Sequence, residues 1–247
     1  MADANTVRRI ARLARVGAGD RVVEIGAGLG SLTLALAETG AEVTAVEVDR
    51  YLVPVLRSVV ASVPGVRVVE ADALRLDWAS LLGDGPWVLV ANLPYNVATP
   101  LIADLLDGVP QLARMLVLVQ REVGERLAAR PGDPAYGAVS VKVAYWADAT
   151  LAGRVPATVF VPQPKVESVL VDIRRRPAAA VDPAVVGPGR LFAVVRAGFG
   201  QRRKMLRRSL AGVVAPEAFE GAGVPDTARA EELDVAAWGR LAAWPAP

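Results

Sequence analysis

The chain has 247 residues, of which 53% are hydrophobic and 22% charged, with a net charge of +2, so it is long enough for one large core plus a small appendage. Cysteine and histidine are both absent, which excludes disulfides, Cys/His zinc sites, Ser-His-Asp triads and thiol nucleophiles, and leaves catalysis to carboxylates, amides, hydroxyls, aromatics or a borrowed cofactor. No apolar run reaches the ~20 residues that a membrane helix needs, and no cleavable signal precedes Asp3, Arg8 and Arg9, so a cytoplasmic location is the expectation.

In chain order, the pattern predicts a helix near Ala4 to Arg15, a strand near Arg21 to Ile25 and a helix near Ser31 to Glu38. Between this first strand and its helix runs Glu24-Ile25-Gly26-Ala27-Gly28-Leu29-Gly30, where glycines allow a tight turn and close approach to a ligand. A dinucleotide fingerprint would need glycine at position 31, which is Ser31, so NAD is the poorer reading. The next strand, near Glu42 to Val46, ends at Glu47, where a carboxylate is placed to accept two ribose hydroxyls. After a helix near Arg50 to Ser62, a third strand near Val66 to Glu70 leads into Asp72 and Ala73, with Asp72 a candidate acceptor for an adenine amino group. Three such markers at successive strand ends point to a nucleoside-binding sheet.

The fourth strand, near Trp87 to Ala91, runs into Asn92-Leu93-Pro94-Tyr95. An adenine amino group is a poor nucleophile because its lone pair is delocalised into the ring. The Asn92 side-chain carbonyl and the Leu93 backbone carbonyl are suited to accept its two hydrogens, aim the lone pair at a methyl donor and stabilise the developing positive charge. Pro94 restricts the turn, and Tyr95 offers a stacking face worth about 1–3 kcal/mol. Thr99 followed by Pro100 predicts a helix start, with the helix reaching Leu106. A strand near Met115 to Val119, helices near Glu122 to Ala129 and Val139 to Trp146, and a late strand pair near Thr150 to Val155 and Ser168 to Arg174 complete a mainly parallel sheet covered by helices.

After Arg176 the chain is broken by Pro177, Pro183, Pro188 and Gly189, and helices are predicted near Leu191 to Phe199, Arg202 to Val213 and Val235 to Trp244. The expected organisation is therefore a catalytic domain over residues 1–176 and a small all-helical domain over 177–247. Basic residues cluster at Arg174 to Arg176 and at Arg202, Arg203, Lys204, Arg207 and Arg208, where a polyanion could dock.

Asn92 to Asn96, together with Val161-Pro162-Gln163-Pro164-Lys165-Val166-Glu167-Ser168 and Phe199-Gly200-Gln201-Arg202-Arg203-Lys204, resembles the KsgA (Dim-type) family of ribosomal RNA adenine N6,N6-dimethyltransferases. The resemblance implies a Rossmann-like class I methyltransferase domain with a seven-stranded sheet and a C-terminal helical domain. It also implies S-adenosylmethionine as cofactor, leaving as S-adenosylhomocysteine, with no metal. The implied partner is small-subunit ribosomal RNA in an immature subunit, dimethylated at two adjacent adenines near its 3′ end, with the protein acting as a monomer. Glu24, Gly26, Gly28, Glu47, Asp72, Ala73 and Asn92 would face the cofactor. Phe160 would cover the target base opposite Tyr95, and Lys165 with the Arg202 to Arg208 cluster, on a helix with one basic face, would meet RNA. Relatives usually carry a basic N-terminal segment ending in a Gly-Gln-x-Phe-Leu-like motif; this chain begins just after its place, so weaker cofactor binding is expected. Two rival readings share the scaffold: an antibiotic-resistance methyltransferase acting on large-subunit RNA, and a noncatalytic RNA-binding assembly or transcription factor.

Overall fold

The computed structural model describes residues 3–94, 97–161, 163–164 and 166–245. The elements are α1 (Ala4–Ala14), β1 (Arg21–Ile25), α2 (Ser31–Ala37), β2 (Glu42–Glu47), α3 (Val53–Val60), β3 (Val66–Glu70), α4 (Trp78–Leu82), β4 (Trp87–Asn92), α5 (Ala98–Gly108), β5 (Leu112–Gln120), α6 (Arg121–Ala128) and α7 (Ala138–Trp146). They continue with β6 (Ala147–Val155), β7 (Ser168–Arg175), α8 (Pro188–Gly200), α9 (Leu206–Ser209), α10 (Glu217–Gly221) and α11 (Val235–Ala243). The seven strands form one sheet in the order β3-β2-β1-β4-β5-β7-β6. β1 to β5 pair in parallel, and β7 runs antiparallel to β5.

Two compact units divide the chain: residues 1–124 with 150–175, and residues 125–149 with 176–247. Where a linear division at 176/177 is expected, residues 125–149 group with the chain after Arg175. Their side chains explain why. Tyr136, Val141 and Tyr145 are buried in one cluster with Leu191, Phe192 and Trp238, so burial of α7 assigns it to the C-terminal helices.

Other departures also have local causes. The helix expected from Thr99 begins at Ala98, with Val97 at its cap and no side-chain capping bond, because the Pro94 carbonyl accepts the N–H groups of both Val97 and Ala98. α3 begins at Val53 rather than Arg50, since the Asp49 carboxylate accepts the Tyr51 N–H in a local turn. The short α4, absent from the sequence pattern, is capped by Asp77. The helix expected over Arg202 to Val213 shrinks to four residues, Leu206–Ser209. There, the N–H groups of Leu206 and Arg207 donate to the carbonyls of Ala228 and Asp226, so tertiary partners replace helical ones. Among the described residues, no helix is long and apolar enough to cross a membrane.

In the first unit, α1 packs Val7, Ile10, Ala11 and Ala14 against a cluster containing Val22, Val43, Val90, Leu116 and Leu118. Arg114 ties this helix to the sheet. Its Nε donates to Asp172 Oδ1 at 2.6 Å, and its Nη1 and Nη2 donate to the carbonyls of Ala14 and Leu13 at the end of α1. The paired side chains are only 14% and 12% exposed. Arg114→Met would leave a half-paired buried carboxylate and unsatisfied helix carbonyls, so urea denaturation should show a loss of about 2–4 kcal/mol. A loss under about 0.5 kcal/mol would show that the network is not stabilising.

Candidate active site

Parallel register decides where the site lies. Ile25 pairs with Val46 on one side and Ala91 on the other, while Glu47 pairs with Glu70, so the residues that follow these pairs stand in one row at the carboxyl ends of β3, β2, β1 and β4. That row is where open α/β sheets bind ligands. It contains Asp72, Glu47, Gly26 and Asn92, in that spatial order.

Each side chain in the row has a distinct setting. Gly26 and Gly28 have φ of 74° and 57°, which a side chain would strain. A Cβ on Gly26 would lie 3.7 Å from the Asn92 carbonyl oxygen, whereas one on Gly28 would meet nothing within 4 Å, so the loop is close-packed at its start and open at its tip. Glu47 is buried. Its Oε2 accepts the Gly28 N–H at 2.7 Å, and its Oε1 accepts those of Val48 and Asp49 at 2.9 Å each. The carboxylate thus fixes the glycine loop through three donors, and with about four lone-pair sites it retains one for a ligand hydroxyl. Asp72 is half exposed; its Oδ1 accepts the Leu74 N–H, and Arg75 stands 3.8 Å from its Oδ2. The Ala73 carbonyl accepts the Trp78 indole N–H at 3.2 Å, so the unforeseen α4 steadies this corner.

Asn92 ends β4 and is partly exposed, and its carboxamide makes no hydrogen bond among the described residues. Two residues earlier, Val90 belongs to the cluster with Leu118, and strand alternation puts Asn92 on the same sheet face. Phe160 is half buried and packs against that same cluster. Leu93 is buried and donates its N–H to the Leu118 carbonyl, while no donor reaches its own carbonyl among the described residues. Tyr95 and Lys165 lie outside the described residues. The donor set fits a nucleoside cofactor: an open glycine loop, a fixed acid beside it, a second acid one strand further and an unpaired amide across from them. Among the described residues, no group of three acidic side chains is placed to hold a metal ion.

A family profile described as ribosomal RNA adenine dimethylase matches residues 1–246. The chain belongs to the ribosomal RNA adenine dimethylase family. The ribosomal RNA small subunit methyltransferase A of Cutibacterium acnes is 50% identical over 94% of this chain and 82% of its own length. That of Thermobifida fusca is also 50% identical, over 97% of this chain and 85% of its own length. Among solved structures, a dimethyladenosine transferase from Plasmodium falciparum superposes with a TM-score of 0.83 at 22% identity, covering 98% of this chain and 95% of that one. The 23S rRNA methyltransferase ErmE gives 0.77 at 27% identity, covering 98% and 97%. The fold is therefore the Rossmann-like methyltransferase fold expected from the sequence.

The basic cluster of the second unit is arranged differently from expectation. Arg202 donates to Glu231 at 2.6 Å and to the Pro134 carbonyl, and Arg207 pairs with Asp226 at 3.3 Å. Arg203, Lys204 and Arg208 are exposed. Arg174 and Arg176, from the earlier run, pair with Asp172 and Asp148.

Sequence reasoning also missed the partner of Glu24. This residue is 2% exposed, and its Oε2 accepts the hydroxyl of the fully buried Thr33 at 2.5 Å. The available signal was a lone hydroxyl inside the apolar stretch Leu32-Thr33-Leu34. Burial pushes the Glu24 carboxyl up to about 7, the Thr33 hydroxyl opposes this, and the Glu47 charge adds to it. Between the ordinary value of 4.5 and about 7, the folded chain holds a proton that the unfolded chain releases, so stability falls as pH rises through that window and the loss is complete above it. Glu24→Gln keeps an acceptor for Thr33 but cannot ionise. Its unfolding free energy should gain on that of the wild type by roughly 3 kcal/mol between pH 4.5 and 8. Parallel pH curves for the two proteins would rule this out.

Proposed function

We propose that the protein transfers methyl groups to the N6 amines of two adjacent adenines in the 3′-terminal hairpin loop of small-subunit ribosomal RNA. It would act as a monomer in the cytoplasm during subunit maturation, with S-adenosylmethionine as the donor. When bound, the cofactor supplies a methyl group on a sulfonium. Gly26 and Gly28 would admit it closely, Glu47 would accept a ribose hydroxyl with its remaining lone pair, and Asp72 with Ala73 would border its adenine. No metal is needed for any of these contacts.

The observation that carries this reading is the Asn92 carboxamide. It stands unpartnered among the described residues at the end of β4, next to the glycine turn. With the Leu93 carbonyl it would accept both hydrogens of the target amine, hold the lone pair in line and stabilise the cationic product. Solvent takes the proton afterwards, so no general base is required. Phe160 and Tyr95 would sandwich the extruded base, returning part of its lost stacking. Lys165, Arg202, Arg203, Lys204, Arg207 and Arg208 would meet phosphates, with Arg203, Lys204 and Arg208 the best candidates because Arg202 and Arg207 have carboxylate partners.

The choice of small-subunit over large-subunit RNA rests on the relatives: 50% identity to methyltransferases named for the small subunit, against 27% to ErmE. Primer extension after incubation with labelled cofactor, on undermethylated small subunits and separately on bare large-subunit RNA, tests activity and address together. Stops at two adjacent adenines near the small-subunit 3′ end are expected, and a single stop in large-subunit RNA would reverse the assignment. Asn92→Ala should lower methyl transfer at least about a hundredfold while RNA affinity stays within a factor of about two. Retained turnover would remove the two-carbonyl chemistry.

A further inference from the structure

Four of the basic residues that stand out in the sequence are paired with carboxylates in the structure, and a further set that does not stand out has no acidic partner among the described residues. Arg8, Arg12 and Arg15 are exposed, and no acidic side chain pairs with them among the described residues. They fall at i, i+4 and i+7, which places them on one side of α1 and its C-cap, beside the face that buries Val7, Ile10, Ala11 and Ala14. The two nearby aspartates are engaged with backbone: Asp3 caps α1 through the Thr6 N–H, and Asp20 accepts the Gly17 N–H.

The stripe is also held rigidly. Arg9 donates to the Arg154 carbonyl from one side of α1, and Arg114 holds its last carbonyls from beneath. Arg15 has φ of 50°, the one positive value outside glycine among the described residues, at a helix C-cap that glycine would occupy with less strain. Keeping a cation there extends the stripe by a further turn.

Position adds to this. Two grooves of about 250 and 500 Å³ run between α1 and α2. Ala4, Arg8, Ser31 and Ala35 line the first, and Arg8, Arg12, Ala35 and Thr39 line the second, so both helices advance in the same direction along the grooves. The Arg8 end therefore lies toward the glycine loop that precedes α2, and Arg15 lies farthest from it. Glu38 is the acid that lines both grooves.

We propose that Arg8, Arg12 and Arg15, with the groove between α1 and α2, track the phosphate backbone of RNA outside the target loop, leading it away from the methyl-transfer site. This rests on the RNA-methyltransferase reading. Regularly spaced, weakly hydrated, unpaired guanidiniums match phosphates, and each one engaged lowers the salt slope of binding when removed.

The test is RNA binding as a function of salt, using the full chain and small-subunit RNA, with a short target hairpin and anionic vesicles as separate arms. Gln suits the substitution because it keeps the helix propensity of Arg. Arg8→Gln/Arg12→Gln should reduce the slope of log K against log salt by about 1.4–1.8 and weaken binding to the long RNA roughly tenfold. Binding and methylation of the short hairpin should be unchanged. Glu38→Lys should act oppositely and steepen the slope. If the wild type binds small-subunit RNA and both variants keep its slope, the stripe proposal fails while the enzyme reading stands. If the variants lose vesicle binding and not RNA binding, the surface belongs to a membrane and the proposal falls. If the wild type binds no RNA, both readings fall together.

Discussion

Hydrogen-bonded register between parallel strands is the constraint on which the site depends. Because β1 pairs with β2 and β4 at fixed partners, the loops after these strands must emerge side by side. A shift of one residue would turn Asn92 to the opposite sheet face and separate Glu47 from the glycine turn. The near-continuous burial of β1, β2 and β5 opposes such a shift, since it would draw the polar residues at the strand ends, such as Arg21 and Glu42, toward the buried sheet. Catalytic geometry is thus a by-product of core packing, and the chemistry needs only short side chains at the strand tips.

Polar groups inside the first unit are few and fully employed. Glu47 accepts three N–H groups of the loops around it, Glu24 accepts the Thr33 hydroxyl, and Arg175 donates to the carbonyls of Leu105, Leu106 and Val109 at the end of α5 and of Leu112 at the start of β5. Glu47 and Arg175 are therefore tied to backbone that would otherwise be unsatisfied, and Glu24 to a buried hydroxyl. The consequence for function is rigidity: the glycine loop is anchored from β2 by Glu47, and the strand that bears it is fastened to α2 through Glu24. Asn92 is the contrasting case. A partly exposed amide without a partner in the described structure is one available to a substrate.

Arginine content by itself was a poor guide to anion binding. Runs such as Arg174 to Arg176 and Arg202 to Arg208 look like RNA surfaces when read along the chain, yet four of these side chains are matched by Asp172, Asp148, Glu231 and Asp226. A guanidinium already held by a carboxylate must give up that partner before it can take a phosphate. The α1 arginines make no such pair among the described residues, and their separation in sequence by three and four residues becomes adjacency on one helical side.

The sequence alone determined the order of the strands and of the longer helices, the acids at Glu47 and Asp72, the glycine turn and the position of Asn92, because strand alternation, turn residues and caps act over a few neighbouring residues. Local signals also marked Leu93 and Pro94 as a strand-end turn. Only the tertiary structure decided that residues 125–149 join the C-terminal helices, that the basic stretch after Gln201 is a turn with a short helix, and that Glu24 finds Thr33. Those outcomes depend on partners far away in the chain: Ala228 for Leu206, Leu233 for the Tyr136 hydroxyl, Glu231 for Arg202. Whether a charge is neutralised or free, and whether a backbone amide completes a helix or bonds elsewhere, is fixed by which residues the folded chain brings within hydrogen-bonding distance.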